Sequence, residues 1–474
     1  MTGIFHSLNI GSEALHVNRQ GIDTTAHNIA NAQTESYSRQ DLKIGQRDPN
    51  SKGKALIGNG NYVQSVDRSR DMFIEKQINK VSSGLGLNEG KKKILAEIEG
   101  VFSPELRSSV AEEMSAFFSS LQTLAEYPEE ITVRTSVKER GENLAAAFRS
   151  VDHDLKRIRG NINEELKGLG MKVSDQLKSI ASLNLKIREL ETGNQSQAND
   201  LRDQRDQLVR KLSEAMNIQY YDDQYGMTTI RGPSETLLVD KGSAATLDIA
   251  LGEDKNGMYD VLYTPKDGGV IRDITKAFSG GQFKGLLESR DQVTKHIMDQ
   301  NNELARTFTH EINKIHKEGF GLGGFGNQNG TNFFQEVENP EEAAALMSID
   351  SAILNSTDAI AAASLPGAAG DNININRMLN LKSEKLLEDG AATLNEFYAN
   401  SMGALGIQSQ RVENVLESDK ILLADLKSRG EAIAGVSLDE EATNMIRWQT
   451  AFTASSKVIT TADQMLQTIL ELKR

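Results

Sequence analysis

The sharpest hydrophobic patterning lies at the two ends of the chain. Stepping by four and three from Ile4 gives Leu8, Gly11, Leu15, Asn18, Ile22, Thr25 and Ile29. Leu8, Leu15, Ile22 and Ile29 form a wholly apolar set of heptad a positions, whereas the d positions Ile4, Gly11, Asn18 and Thr25 are mixed. From Leu438 the same stepping gives an apolar d set, Leu438, Met445, Phe452, Ile459 and Leu466, and a mixed a set that includes Gln449. Antiparallel helices set a layers against d layers, so only that arrangement joins the two apolar rows. Polar seam residues such as Asn18 and Gln449 favour a coil, because they fix register at a cost in stability. The alternative is that each end is an amphipathic helix packed on the body. Gly435 breaks the preceding helix, and Ser437-Leu438-Asp439-Glu440 reads as a capping box. Trp448 falls at g, beside the seam.

Between the ends, helical patterning dominates from Asn88 to Ala215. Pro104 suits a first helical turn, Val110, Met114, Phe117, Phe118, Leu121 and Leu124 recur at helical steps, and Pro128 ends that helix. Glu129 to Glu191 carries a long proline-free pattern, which predicts long bundled helices. After Met216 the texture changes. Leu247, Ile249 and Leu251 alternate with polar residues, as do Tyr259, Val261 and Tyr263, and Lys255-Asn256-Gly257 between them predicts a hairpin turn. Helix resumes with Leu286, Val293, Ile297, Leu304, Phe308 and Ile312. A Gly/Asn loop follows from Gly319 to Gly330, then an Ala-rich irregular stretch to Asn376, then helix from Arg377 to the end.

The predicted fold is mainly α and elongated: antiparallel terminal coiled-coil helices, a long helical-bundle domain and a small inserted β-rich domain. The expected divisions are a coil helix over 1–35 pairing with 436–474, a helical body over 36–216 and 283–435, and the β-rich insertion over 217–282.

The chain of 474 residues carries 53 basic and 67 acidic side chains, a net charge of −14, with no concentrated basic stretch, which argues against nucleic-acid binding. Absence of cysteine removes disulfides, thiolate catalysis and cysteine-ligated metal. No apolar stretch approaches the roughly 20 residues that span a bilayer, so membrane insertion is not expected. The N-terminus lacks the basic start and unbroken apolar core of a cleaved signal.

Other motifs are weak. Gly321-x-Gly323-x-x-Gly326 matches a dinucleotide fingerprint in letters, but it follows a helix rather than a strand and reads as a flexible loop. His310-Glu311 and His316 lack the spacing of a zinc-protease helix, and His16 and His27 have no third ligand near, so these read as solvated or capping histidines. Glu189, Glu191, Asp203 and Asp206, interleaved with Arg202 and Arg205, read as paired surface charges. No nucleophile–base pairing stands out. Neither catalysis nor a cofactor is expected.

His27-Asn28-Ile29-Ala30-Asn31 followed by Tyr37-Ser38-Arg39-Gln40 resembles the N-terminal signature of bacterial flagellar rod, hook and hook-associated proteins. Gly435 to Glu441, with Trp448-Gln449, Phe452, Ala454 and Ser455 to Asp463, resembles their C-terminal signature. Asn199 to Asp206, Gly285 to Asp291, and His316 through Gly319 to Phe333-Phe334 are similar to the family of the first hook-associated protein, the hook–filament junction subunit. Two departures stand out: Ser36 where the family usually has glycine, and Trp448 where tyrosine is commoner. Asn28 and Asn31 suit a helix C-terminus and its left-handed turn, so the signature marks where the coil ends and the chain turns to the body.

The resemblance implies a structural subunit assembling in a ring through its terminal helices, with the hook subunit and the next hook-associated protein as neighbours. It also implies an export chaperone on the C-terminal helix, and export through the flagellar type III channel to an extracellular flagellum without a cleaved signal. The alternatives are another axial subunit of hook or rod, or a cytosolic nucleotide-dependent enzyme using the Gly321–Gly326 loop.

Overall fold

A computed structural model describes residues 2–34, 36–52, 55–103, 108–192, 197–252 and 257–471. The chain opens with α1 (Thr2–Asn31) and continues into an antiparallel ribbon of β1 (Gln40–Gln46), β2 (Asn50–Lys52), β3 (Ala55–Ile57) and β4 (Asn61–Arg68). β1 pairs with β4, Leu42 opposite Val66, with a bulge between Lys43 and Ile44. This ribbon falls in the stretch assigned from the pattern to helical body. Its signal is present: Leu42 and Ile44 alternate with polar residues, and Asn59-Gly60 is a turn dipeptide.

Four helices follow: α2 (Met72–Val101), α3 (Val110–Glu126), α4 (Ile131–Glu191) and α5 (Asn199–Ala215). α3 begins after Ser109, whose hydroxyl accepts the Glu112 N–H while Glu112 reaches back, a complete capping box. Pro104, expected in the first turn, lies outside the described residues. With 61 residues α4 runs about 90 Å and makes the molecule elongated. Its unbroken length follows from the absence of proline and an apolar row buried from Val137 through Phe148, Ile162 and Leu177 to Ile187.

The β-rich segment forms two antiparallel sheets. One orders β5 (Gln219–Asp222), β6 (Thr228–Arg231), β7 (Leu237–Asp240) and β8 (Ser243–Ala244). The other joins β9 (Thr246–Leu251), β10 (Tyr259–Thr264) and β11 (Arg272–Asp273). β9 and β10 pair with Leu251 opposite Tyr259 and Leu247 opposite Tyr263. Gly257 takes φ +83°, and Lys255 and Asn256 of the expected turn lie outside the described residues. The sheets rest on α4, where Ser174 Oγ donates to Leu247 O at 3.1 Å and accepts Leu247 N–H at 3.0 Å.

A helical run then returns: α6 (Gly281–Glu288), a π turn over Ser289–Thr294, and α7 (Lys295–His316). The Arg290 side chain in the π turn is fully buried, donating to Asn163 Oδ1 (2.8 Å), Tyr259 O (2.7 Å) and both Asp291 oxygens. This gives the Gly285–Asp291 motif a structural role, fastening the β-rich segment to α4. Short helices α8 (Ser351–Asn355) and α9 (Ile373–Asn380) lie in the irregular stretch, and α10 (Leu394–Ala434) and α11 (Leu438–Glu471) complete the chain. The Gly321–Gly326 loop follows α7 directly, and Leu322 N–H donates to Asp358 O at 2.8 Å.

His316 is neither solvated nor a cap. It is wholly buried, its Nδ1 2.7 Å from Thr331 O while Nε2 accepts Ala361 N–H at 2.9 Å. It therefore pins two loops as a neutral ring. Burial pushes its pKa from 6.5 down to about 4. The unfolded chain thus takes up this proton near 6.5, while the folded chain resists it until about 4. Stability from this group is complete above pH 6.5 and is lost as pH falls towards 4, by about 3 kcal/mol. Urea unfolding at pH 7 and pH 4.5 is expected to show that loss in the parent chain and a smaller one in His316→Gln. Equal pH slopes would refute it.

Candidate functional site

The two ends of the chain meet. α1 and α11 pack antiparallel, as three contacts along their length show. A Cβ built on Gly11 would lie 2.8 Å from Ile459 Cγ1, Asn18 Nδ2 donates to Ser455 Oγ at 3.1 Å, and Asn28 Nδ2 donates to Glu441 Oε2 at 3.2 Å. Gly21 lies opposite Trp448, where an added Cβ would be 2.5 Å from the indole. The contacting row of α1 is therefore Gly11, Asn18, Gly21, Thr25 and Asn28, all buried. On α11 it is Glu441, Trp448, Ser455 and Ala462, each seven residues from the last, with Met445, Ile459 and Leu466 half-buried beside them.

The pairing direction is the one expected, but the faces are rotated. Ile4, Leu8, Leu15 and Ile22 are only half-buried, and Ile29, Leu438, Gln449 and Phe452 are exposed. The cause is size. Gly11 and Gly21 leave notches that seat the Ile459 and Trp448 side chains, which Leu or Ile in those places would push away. Trp448 is thus a seam residue, seated in the notch at Gly21 with Arg447 over its ring at 5.3 Å. α1 also packs against β1 and β4, and Val17 and Thr24, outside the row that meets α11, are buried too.

At the body end of the pair the two terminal signatures lock together. Asn28, 1% exposed, uses its whole amide. Its Oδ1 accepts from Tyr37 Oη (2.7 Å) and Gln40 N–H (3.0 Å), and its Nδ2 donates to Gln40 O (3.0 Å) and Glu441. The Tyr37 phenol is held well above its usual range by burial and then by the Asp200, Asp203 and Glu441 carboxylates, so it stays protonated and donates. His27 stands between Tyr37 Oη (3.0 Å from Nδ1) and Asp200 (3.4 Å from Nε2). Asn31 Nδ2 closes the last turn on His27 O at 3.1 Å. Arg39 N–H donates to Ala434 O at 2.8 Å, and its guanidinium pairs with Glu441 (2.9 Å) and Glu440 (3.3 Å). Glu440 therefore serves Arg39, while Ser437 Oγ accepts only a long 3.4 Å bond from the Glu440 N–H. Ser36 takes φ +68°, the conformation for which glycine is best suited.

The same loop is clamped to α5. Ser38 N–H and Oγ both donate to Asp203 at 2.9 Å, and Arg68 pairs with Asp203 (2.7 Å) and Asp206 (2.8 Å). Arg70 also pairs with Asp206. Burial raises the Asp206 pKa, but the Arg70, Arg68 and Arg205 charges outweigh it and hold the carboxyl below its usual range. These groups are paired, as the charge pattern suggested, but Asp203, Asp206 and the wholly buried Arg205 are not surface charges. Sequence reasoning missed Gly21, Arg68 and Arg70 as site residues, and it placed Gly11 in the seam and Ser38 and Glu441 in the signatures without assigning them contacts.

Among the described residues no group of His, Asp and Glu is placed to hold a metal ion, and no helix is long and apolar enough to cross a membrane. What the site offers is a polar latch that sets the terminal helices against the body.

Residues 95–334, just over half of the chain, match the family described as "Flagellar hook-associated protein FlgK helical domain". Residues 432–472, which include α11, match "Flagellar basal body rod FlgEFG protein C-terminal". The chain is 27% identical to flagellar hook-associated protein 1 of Bacillus subtilis, over 99% of this chain and 98% of that protein. It is 23% identical to the protein of the same name from Escherichia coli, over 98% and 99%. A solved structure, the flagellar hook junction protein FlgK from Burkholderia pseudomallei, superposes with a TM-score of 0.68 at 13% identity, covering 76% of this chain and all of that one. The helical body, the C-terminal segment and the full-length relatives point one way: this chain belongs to the flagellar hook-associated protein family, structural components of the bacterial flagellum.

Proposed function

We propose that the protein is the subunit joining hook to filament, and that it assembles through its terminal helix pair. The observation that carries this is the pair itself, an antiparallel duplex latched to the body that leaves large apolar side chains exposed among polar ones. Phe5, Ile446, Val458, Met465, Ile469 and Leu470 are 39–66% exposed on the two helices. Apolar side chains in such a row mark an interaction surface, and neighbouring copies in a ring would cover them. The hook subunit and the next hook-associated protein would bind the two sides of that ring. Before assembly the same face of α11 suits an export chaperone, and the chain would travel unfolded through the type III channel without a cleaved signal.

The contact row is largely polar (Asn18, Thr25, Asn28, Glu441 and Ser455), so the duplex buries little apolar area against about 1–2 kcal/mol of backbone entropy per ordered residue. In the free chain the pair is therefore open for much of the time and closes on assembly. Deleting residues 438–474 is the test. The truncated chain should remain a helical monomer with a near-parental melting transition, because the body has its own core. Cells carrying it should build hooks yet shed filament subunits into the medium, with the truncated chain also assayed there to separate export from assembly. Normal filaments would overturn the proposal.

A further inference from the structure

A cleft of about 660 Å³ opens between α2, the C-terminal end of α5, β5 and the start of α6. It has no part in the latch. Lys76 and Lys80 stand exposed at its mouth, and neither has an ion-pair partner among the described residues. Leu87 and Ile218 give it an apolar wall.

Two buried polar side chains on its wall each carry one unpartnered atom. Asn79 is 7% exposed and Ser83 9% exposed, and Asn79 Oδ1 and Ser83 Oγ have no hydrogen-bond partner. Buried polar atoms without partners are destabilising, so an unfilled pair in one cleft marks a place for a ligand. Asn79 Nδ2 donates to Tyr220 Oη at 3.0 Å. Because a phenol both donates and accepts, turning the amide keeps that bond and puts an N–H in place of the unpartnered oxygen.

The third feature is the N-terminus of α6. Gly280 is its N-cap residue, lines the cleft and supplies no side-chain cap. A Cβ there would lie 2.6 Å from Ser83 Oγ, so the unpartnered hydroxyl sits directly against the helix end. An uncapped helix N-terminus, two ammonium groups and a free hydroxyl donor together select an anion, and the apolar wall selects one on an aliphatic stem.

We infer that the cleft receives an aspartate or glutamate side chain from a second copy of this chain, carried on a short segment with an aliphatic neighbour. The inference rests on the assembly reading above. The copy is favoured over a free acid by charge: a chain of net charge −14 brings an acidic surface to any neighbour, and this cleft meets it with unpaired cations. The volume suits several residues rather than a lone ion.

Absence of native cysteine makes the test clean. Lys80→Cys is labelled with a benzophenone maleimide in flagella isolated from cells, irradiated, and mapped by mass spectrometry. The expected product is a dimeric adduct to an acidic segment of a second copy. Adducts only within one chain, or only to another protein, overturn the inference. Separately, Lys76→Glu/Lys80→Glu should melt like the parent but enter flagella roughly tenfold less, with Lys76→Gln/Lys80→Gln intermediate. Undiminished incorporation of the charge-reversed chain overturns it too. Glutarate is the probe for a free acid: calorimetric binding to the full chain that is lost in Ser83→Ala assigns the cleft to a small molecule and refutes the second copy as occupant. If the parent chain is absent from hook ends, it is the junction reading that fails.

Discussion

Gly21→Val is expected to separate the terminal helices and abolish filament attachment while leaving the body folded. A Cβ at Gly21 would come within 2.5 Å of the Trp448 ring, closer than real Cβ contacts allow, and valine adds two further methyl groups. Overpacking of this kind costs about 1–3 kcal/mol, whereas the helix-propensity gain from replacing glycine returns only a few tenths of that. For a duplex this thin the steric term decides. Trp448 emission in assembled material should shift to the red and become accessible to iodide, and filament number should fall sharply. The control is Gly160→Ala on α4, where nothing lies within 4 Å, and which should be neutral or slightly stabilising. Normal filaments with an unshifted tryptophan in Gly21→Val would show that the notch is not a determinant of pairing.

Glu441→Ala should be nearly as damaging, by a different route. The carboxylate is 2% exposed and faces Arg39 at 2.9 Å and Asn28 at 3.2 Å. Removing one partner of a buried pair costs about 3–5 kcal/mol, because the other is left uncompensated. Arg39 keeps Glu440 at 3.3 Å and Asp41 at 3.7 Å, both partly exposed, so the expected loss is nearer about 2–3 kcal/mol. Glu441→Gln, which preserves the shape and an acceptor for Asn28, should lose less. Hydrogen exchange measured in assembled flagella should show α11 deprotected in Glu441→Ala while α4 keeps its protection. Unchanged protection over 438–471 would mean that the latch does not hold the pair.

Both effects run through residues that no periodicity singles out. Gly21 lies outside the apolar row read from the chain, and Glu441 is one letter in an acidic first turn. The His27–Gln40 signature was visible as a resemblance, but the reason for its asparagine was not. Asn28 is needed because four polar groups from two separate segments converge on one buried amide.

The long helices, their ends at Pro128 and Gly435, and the β9–β10 hairpin were determined by local sequence. Each rests on a period of 3.6 or 2, or on the conformational demands of a single residue, and such signals need no partner to act. Only the tertiary structure decided which face of α1 meets α11. A helix with apolar residues on one side and small ones beside them can pair through either, and notches that seat Ile459 and Trp448 favour the small side when a second element, here the β1–β4 ribbon, packs on the same helix. The same holds for charge. Asp203, Arg205 and Asp206 look like solvated helix pairs until Arg68, Arg70 and Ser38 arrive from β4 and the signature loop, more than a hundred residues earlier in the chain. Burial depends on what a distant segment covers, and a linear pattern carries no record of that.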